Sequence, residues 1–290
     1  MAVTSAATRR AFSSHSRVWA DNRYVYPVVS RRSGGLSIGI NLNPDKICNF
    51  DCIYCSVDRH VNGPTGRVET AVLRAELRQM LALATSNEIF RLPEFAAIRP
   101  ELMRLNDIAF SGDGEPTTCP VFGRCCRIAA EELKRAGLSG VKLVLITNAT
   151  MFARRPVRKA LEYLDQHGGE IWAKLDAGTA AYYQLVNRPG VGFDRICANI
   201  TWCAQVRPTV IQTLLMRIHG QPPPPDEIQA YARRLADIKA AGGRIKLVQL
   251  YTVARNTAEN YVDPLAPEEM KAMSERVKAL LPGVPLECFW

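Results

Sequence analysis

The chain has 290 residues and carries 37 basic against 28 acidic side chains, a formal charge of +9, with 47% apolar and 22% charged residues. That balance excludes wholesale disorder, and the length allows one large domain or two small ones. No apolar run approaches the roughly 20 residues that span a bilayer, which predicts a soluble protein without a membrane segment. Nine cysteines are an odd number in a chain too long to need disulfide staples. They predict a reducing, cytoplasmic compartment and a metal site.

Residues 1–35 are expected to form an irregular N-terminal arm. The first twenty contain Arg9, Arg10 and Arg17, four serines and no acid. They lack the apolar core of a secretory signal and read as a frayed terminus, with a faint likeness to an organelle transit peptide. From Leu36 onward, short β-branched runs alternate with amphipathic segments. The strands are expected at Leu36–Leu42, Asp107–Ser111, Lys142–Thr147, Ile171–Leu175, Val210–Met216, Ile245–Tyr251 and Val284–Phe289. Each is mostly apolar, as a strand buried on both faces should be.

Between them, apolar residues recur at helical spacing in three sets: Leu73, Leu77, Met80 and Leu81; Ile228, Tyr231, Leu235 and Ile238; Met270, Met273, Val277 and Leu280. Asp226, Glu227, Pro267, Glu268 and Glu269 mark helix starts, and Gly242 and Gly283 mark helix ends. Pro222–Pro225 is a stiff strand-to-helix connector. The alternation, with no linker inside it, predicts βαβ units, a parallel sheet and one barrel-like α/β domain over residues 36–290, including a C-terminal extension. Function should sit at the C-terminal ends of its strands.

Immediately after the first of these strands comes Cys48-Asn49-Phe50-Asp51-Cys52-Ile53-Tyr54-Cys55, a CxxxCxxC spacing. Three thiolates on one tight loop form a soft shell that selects iron–sulfur or zinc over hard cations. They can hold three irons of a [4Fe–4S] cube and leave the fourth open to a ligand. A structural zinc would need a fourth protein ligand, for which His60 is the near candidate and Asp58 a poorer one.

This loop, with Tyr54 just before its third cysteine, resembles the signature of the radical S-adenosylmethionine (SAM) superfamily. The strand that follows ends in Ser111-Gly112-Asp113-Gly114-Glu115-Pro116-Thr117, which is similar to that family's SAM-binding turn. "INLNPDKICNFDCIYC", "SGDGEPT" and "KLDAG" together look most like the wyosine-synthase-related and molybdenum-cofactor-cyclase-related branch. Residues 1–47 hold no cysteine for a second cluster, and only Cys288 follows Cys203.

The resemblance implies a partial (β/α)6-type TIM barrel. It also implies that Cys48, Cys52 and Cys55 ligate a [4Fe–4S] cluster whose open iron takes the amino and carboxylate groups of SAM. One electron would then cleave SAM to methionine and a 5′-deoxyadenosyl radical, which abstracts hydrogen from a substrate. Tyr54, Gly112, Asp113, Gly114 and Glu115 are the expected SAM contacts nearest these motifs. Polar groups at later strand ends extend the set: Thr147 and Asn148 toward the ribose or carboxylate, Tyr251 toward adenine, and Lys174, Asp176 and Arg217 toward SAM or a polar substrate.

Cys119, Cys125 and Cys126 follow the glycine turn. Cys125 and Cys126 are adjacent on an expected helix and point about 100° apart, a poor arrangement for holding one ion; burial of small apolar thiols accounts for them. The competing function is a non-catalytic iron–sulfur or zinc-binding regulatory or redox-sensing protein. The basic balance, with Arg31–Arg32, Arg154–Arg155, Arg158 and Lys159, suits RNA or a phosphate-bearing metabolite. It equally suits an acidic electron donor of flavodoxin or ferredoxin type.

Overall fold

The computed structural model describes residues 19–95 and 98–290. The transit-peptide likeness therefore lies on residues outside the described ones, apart from the last two positions of that stretch. The described chain divides into two compact units that interleave in sequence. One gathers residues up to Ile47, Asn62–Leu145 and Arg155–Glu170; the other gathers Cys48–Val61, Ile146–Arg154 and Ile171–Trp290. No linker marks this division, because each unit collects three separate segments.

The first unit contains β1 (Val25–Ser30), β2 (Gly35–Ile40), α1 (Thr70–Thr85), β3 (Leu105–Phe110), α2 (Phe122–Arg135), most of β4 (Lys142–Thr147) and α3 (Arg155–Asp165). Its strands lie in the order β1-β2-β3-β4. β2 pairs in parallel with β3, and β3 with β4, while β1 runs antiparallel to β2 from Val25 opposite Ile40 to Ser30 opposite Gly35. The expected irregular arm is thus corrected over residues 25–30. Pro27 interrupts the strand pattern in the sequence, yet a terminal strand tolerates the missing donor on its outer side. The carboxylate of Glu76 on α1 reinforces the attachment by accepting the backbone N–H groups of Arg23, Tyr24 and Val25 at 2.8, 2.9 and 3.1 Å. Leu36, Ile38 and Ile40 and the helix stripe Leu73, Leu77 and Met80 are all fully buried, as the apolar runs require.

The second unit contains most of β5 (Gly169–Lys174), α4 (Ala180–Asn187), α5 (Phe193–Val206), β6 (Thr209–Leu215), β7 (Arg217–Ile218), α6 (Pro225–Ala240), β8 (Ile245–Thr252), β9 (Val262–Asp263), α7 (Pro267–Leu280) and β10 (Leu286–Phe289). Its main strands follow the order β5-β6-β8-β10, all parallel, and β7 and β9 form a separate antiparallel pair. Proline opens both α6 and α7, and acids occupy their first turns. Gly242 and Gly283 follow their ends at φ of +85° and +77°, a region glycine enters without steric cost. Among the described residues no helix is long and apolar enough to cross a membrane.

Candidate functional site: the cysteine loop and its polar surround

Backbone hydrogen bonds tether the cysteine loop to the end of α4. Asp51 N–H donates to the Asn187 carbonyl at 3.2 Å and Ile53 N–H to the Val186 carbonyl at 3.0 Å. Cys55 N–H closes a turn on the Cys52 carbonyl, and the Cys55 carbonyl accepts from Ala258 N–H, both at 2.9 Å. Ile53 is buried with Val186, Leu214, Met216 and Val262. This apolar anchor fixes the loop while the cysteines on either side stay partly exposed. Asn49 is held as well: it accepts from Asn148 Nδ2 at 2.8 Å and donates to Thr150 Oγ1 at 2.7 Å. Arg188, in the left-handed region at φ 41°, pairs with Asp51 at 3.3 Å and Glu259 at 2.6 Å.

All nine cysteines are thiols. Among the described residues no three His, Cys, Asp or Glu side chains converge as a single metal ion would require. A four-iron cube gives each thiolate a different iron, so its ligands ring a volume instead of meeting at a point. The donor set fits such a group, because N–H groups face two of the sulfurs. Asn187 Nδ2 lies 3.4 Å from Cys52 Sγ, and Arg59 Nη2 lies 3.4 Å from Cys55 Sγ. Burial pushes the Cys52 thiol up to about 12, with the Asn187 N–H pulling the other way. A bound metal supplies the charge that holds such a thiol ionised. His60, considered as a fourth zinc ligand, is turned outward with its side chain 92% exposed and its ring on Asp58.

Around Tyr54 three further expected residues, Lys174, Asp176 and Tyr251, come together. Asp176 Oδ2 accepts from the Tyr54 hydroxyl and, at 3.1 Å, from Asn187 Nδ2; its Oδ1 accepts from Leu214 N–H at 2.9 Å and pairs with Lys174 Nζ at 2.9 Å. Lys174 Nζ also donates to the Tyr251 hydroxyl at 2.6 Å and sits 4.9 Å from the ring centroids of both Tyr54 and Tyr251. A buried ammonium needs such company, and the aromatic faces add a cation–π attraction. Burial, followed by the Asp176 charge, raises the Tyr54 phenol well above its usual value. For Lys174 burial acts downward, but Asp176 and Tyr251 outweigh it and hold the ammonium above the ordinary lysine value. One strand over, Gln212 is in register with both Lys174 and Gln249, and donates to Gln249 at 2.8 Å.

The turn carrying Asp176 is clamped onto α6. Glu227 accepts from the N–H groups of Gly178 and Thr179 and, at 2.6 Å, from the Thr179 hydroxyl. A Cβ on Gly178 would lie 2.0 Å from Tyr231 N, so only glycine admits the helix this close. The remaining expected residues also have partners within the protein. Thr147 Oγ1 accepts from Ala149 N–H at 3.0 Å, and Asn148 Oδ1 accepts from Thr150 N–H and Oγ1. Arg217 pairs with Glu269, in the first turn of α7, at 2.7 Å and donates to the Gly220 carbonyl.

In the first unit, the Gly112–Glu115 turn packs on residues 41–47. Asn41 accepts from Asp113 N–H at 3.1 Å and donates to Asp113 Oδ2 at 2.6 Å. A Cβ on Gly112 would meet Asn41 Oδ1 at 2.3 Å, and one on Gly114 would meet the Ile47 carbonyl at 2.2 Å. Both glycines therefore have a packing reason of their own. Glu115 is 3% exposed, and its Oε1 accepts from Thr117 N–H at 3.1 Å and from the Thr117 hydroxyl, capping the short turn that follows. Cys125 and Cys126 are fully buried on α2, as expected for apolar thiols. Asn187 and Asn41 went unnoticed in the sequence, where lone polar residues within mixed segments carry no periodic signal, and Glu227 was read there only as a helix-start acid.

A family model, the radical SAM superfamily, matches residues 42–235. The chain belongs to the radical SAM superfamily. It thereby joins a family of enzymes, and its fold class is α/β, the parallel-sheet partial (β/α)6-type barrel expected from the sequence. Streptococcus suis SuiB bound to S-adenosylmethionine is similar in fold, with a TM-score of 0.58 at 13% identity, over 89% of this chain and 52% of that one. Among curated proteins, a protein named GTPase Obg from Brachyspira hyodysenteriae is 24% identical over 259 residues, covering 87% of this chain and 33% of that protein. The UPF0026 protein MJ1312 of Methanocaldococcus jannaschii is 27% identical over 163 residues, covering 56% and 43%. This radical SAM chain thus spans between a third and a half of the curated relatives it matches.

Proposed function

We propose that the chain is a SAM-dependent radical enzyme in which Cys48, Cys52 and Cys55 carry a [4Fe–4S] cluster and the Gly112–Glu115 turn receives SAM. The observation that carries the reading is the three-thiol loop, tethered by its backbone, with N–H donors facing two sulfurs. The cluster, when bound, supplies the electron that splits SAM into methionine and a 5′-deoxyadenosyl radical. The chain's own part is to fix and shield. Ile53 and its apolar neighbours hold the loop, Asn49 and Asn148 brace it, and Asn41 holds the glycine turn in shape. The Lys174–Asp176 pair offers a charged, aromatic-walled contact for SAM or a polar substrate.

The substrate class proposed is an RNA base or a phosphate-bearing metabolite, in keeping with the +9 charge. The same charge suits an acidic flavodoxin- or ferredoxin-type electron donor, and nine thiols suit a reducing cytoplasm. The sequence contains no Gly-x4-Gly-Lys-Ser/Thr phosphate loop, so the GTPase in one relative's name is not carried over.

The test is anaerobic reconstitution with iron and sulfide, then dithionite reduction with SAM and chromatography for 5′-deoxyadenosine. Wild type should form it, with and without a candidate RNA substrate compared, and the Cys48→Ala, Cys52→Ala and Cys55→Ala variants should not. Formation by the triple variant at the wild-type rate would sink the proposal.

A further inference from the structure

We infer that Asn187 is a positioning residue for the redox group of the cysteine loop: its amide N–H, aided by the Arg59 guanidinium, sets how readily the cluster accepts an electron. This rests on the proposed [4Fe–4S] ligation by Cys48, Cys52 and Cys55. Asn187 is 2% exposed, and its Nδ2 lies 3.4 Å from Cys52 Sγ, 3.3 Å from the Tyr54 hydroxyl oxygen and 3.1 Å from Asp176 Oδ2. An amide nitrogen has two protons to give, and here three acceptors compete for them. Arg59 Nη2, on the loop itself, lies 3.4 Å from Cys55 Sγ. Hydrogen bonds to cluster sulfurs are among the levers that set a cluster's reduction potential.

The sign follows from charge. Reduction adds one electron to the cluster, taken from the external reductant, with no bond made or broken, and the added negative charge spreads onto the sulfurs. An N–H with its positive end toward a sulfur stabilises that reduced form more than the oxidised one. Both donors therefore raise the potential. Asn187 acts from a buried position where little solvent screens it, whereas Arg59 is half-buried and is weakened by water and salt. Asn187 is also the point where the sulfur shell meets the Lys174–Asp176 pair, since the same amide nitrogen faces Cys52 and Asp176.

Removal of the side chain need not release the loop. Its tethers are the backbone carbonyls of Asn187 and Val186, which a side-chain substitution leaves in place. The Asn187→Leu, Asn187→Ser and Arg59→Gln variants of the full chain would be reconstituted anaerobically beside wild type and assayed for iron and sulfide. Each would then be titrated with dithionite in the presence of redox mediators, with the reduced cluster followed by electron paramagnetic resonance. Asn187→Leu should show about a tenfold lower ratio of reduced to oxidised cluster at a fixed potential, equivalent to a shift of about 59 mV to the negative for one electron. Arg59→Gln should move in the same direction by less.

A cluster-loaded Asn187→Leu protein titrating with wild type, or to the positive side of it, would overturn the inference. So would loss of the cluster from both Asn187 variants, which would make the residue purely structural. If the wild-type protein itself takes up no iron and sulfide, the proposed function fails and this inference falls with it.

Discussion

Replacing Asp176 with alanine removes the counter-charge of Lys174, whose side chain is only 15% exposed. Breaking a buried pair by deleting one partner costs about 3–5 kcal/mol, because the surviving charge is left uncompensated. The same substitution strips the Leu214 N–H and the Tyr54 hydroxyl of their acceptor, and each orphaned buried donor adds about 1–3 kcal/mol. Set against a typical total of about 5–15 kcal/mol, Asp176→Ala should be close to unfolded. Adding Lys174→Met removes the stranded ammonium and should recover about 2–3 kcal/mol, within the range of couplings seen between contacting residues. Urea unfolding of wild type, both single variants and the double variant, followed by circular dichroism, measures that coupling as a double-mutant cycle.

The pH dependence of the cycle gives a second check. Lys174 is held above the ordinary lysine value, so its contribution is complete below about pH 10.4 and is lost only as the pH climbs through the raised value. The coupling should therefore be flat between pH 7 and 9. Additive effects, with the double variant no more stable than Asp176→Ala, would refute the reasoning, since the ammonium would then not depend on Asp176.

Glu132 on α2 is held down to about 2, chiefly by Arg78, with burial opposing and Arg74 and Arg135 assisting. Its stabilising effect is present above the unfolded glutamate value of about 4.3 and is lost as the pH falls toward 2. Glu132→Gln should flatten the melting temperature across that window in scanning calorimetry, and a slope parallel to wild type would show the Arg cluster to be inert. Gly178→Ala drives a methyl into the backbone of α6, and the overpacking should cost about 1–3 kcal/mol or more in the same urea assay. A stability equal to wild type would mean that the turn carrying Asp176 is not pinned by that contact. Glu76→Gln weakens the acceptor of three backbone N–H groups, so hydrogen exchange at Tyr24 and Val25 should quicken by about tenfold or more while the α7 amides are unchanged. Uniform exchange in the two places would refute a local anchor. Glu115→Ala should lower the affinity for SAM in equilibrium dialysis and leave the iron content intact, and unchanged affinity would remove Glu115 from the proposed SAM turn.

Much of the architecture was legible residue by residue, because strands and helices obey local rules. Lys142–Thr147 is a strand over the expected residues, and the stripe Leu73, Leu77, Met80 and Leu81 is buried as its spacing requires. Pro225 and Pro267 open helices because a proline lacks an N–H where none is needed. The β1 strand escaped because a segment with Pro27 inside it forms a strand only where it lies at a sheet edge, and its place in the sheet is not a local property. The cysteine loop was legible for the same local reason, since three soft ligands within eight residues limit the chemistry whatever the surroundings.

Tertiary structure alone decided what surrounds those sulfurs. Asn187 stands 135 residues from Cys52, and Asp176 stands 122 from Tyr54; no spacing or periodicity links such positions. Glu227 gives no sign in the sequence that it clamps Gly178 and Thr179, because an acid at a helix start already has a sufficient local reason there. Arg217 likewise meets a partner, Glu269, that lies 52 residues away and that its position at a strand end does not announce. Residue types and local order follow from short-range sterics and hydrophobic pattern. Which polar groups meet is set by how distant segments pack, where each buried donor or charge must find its partner.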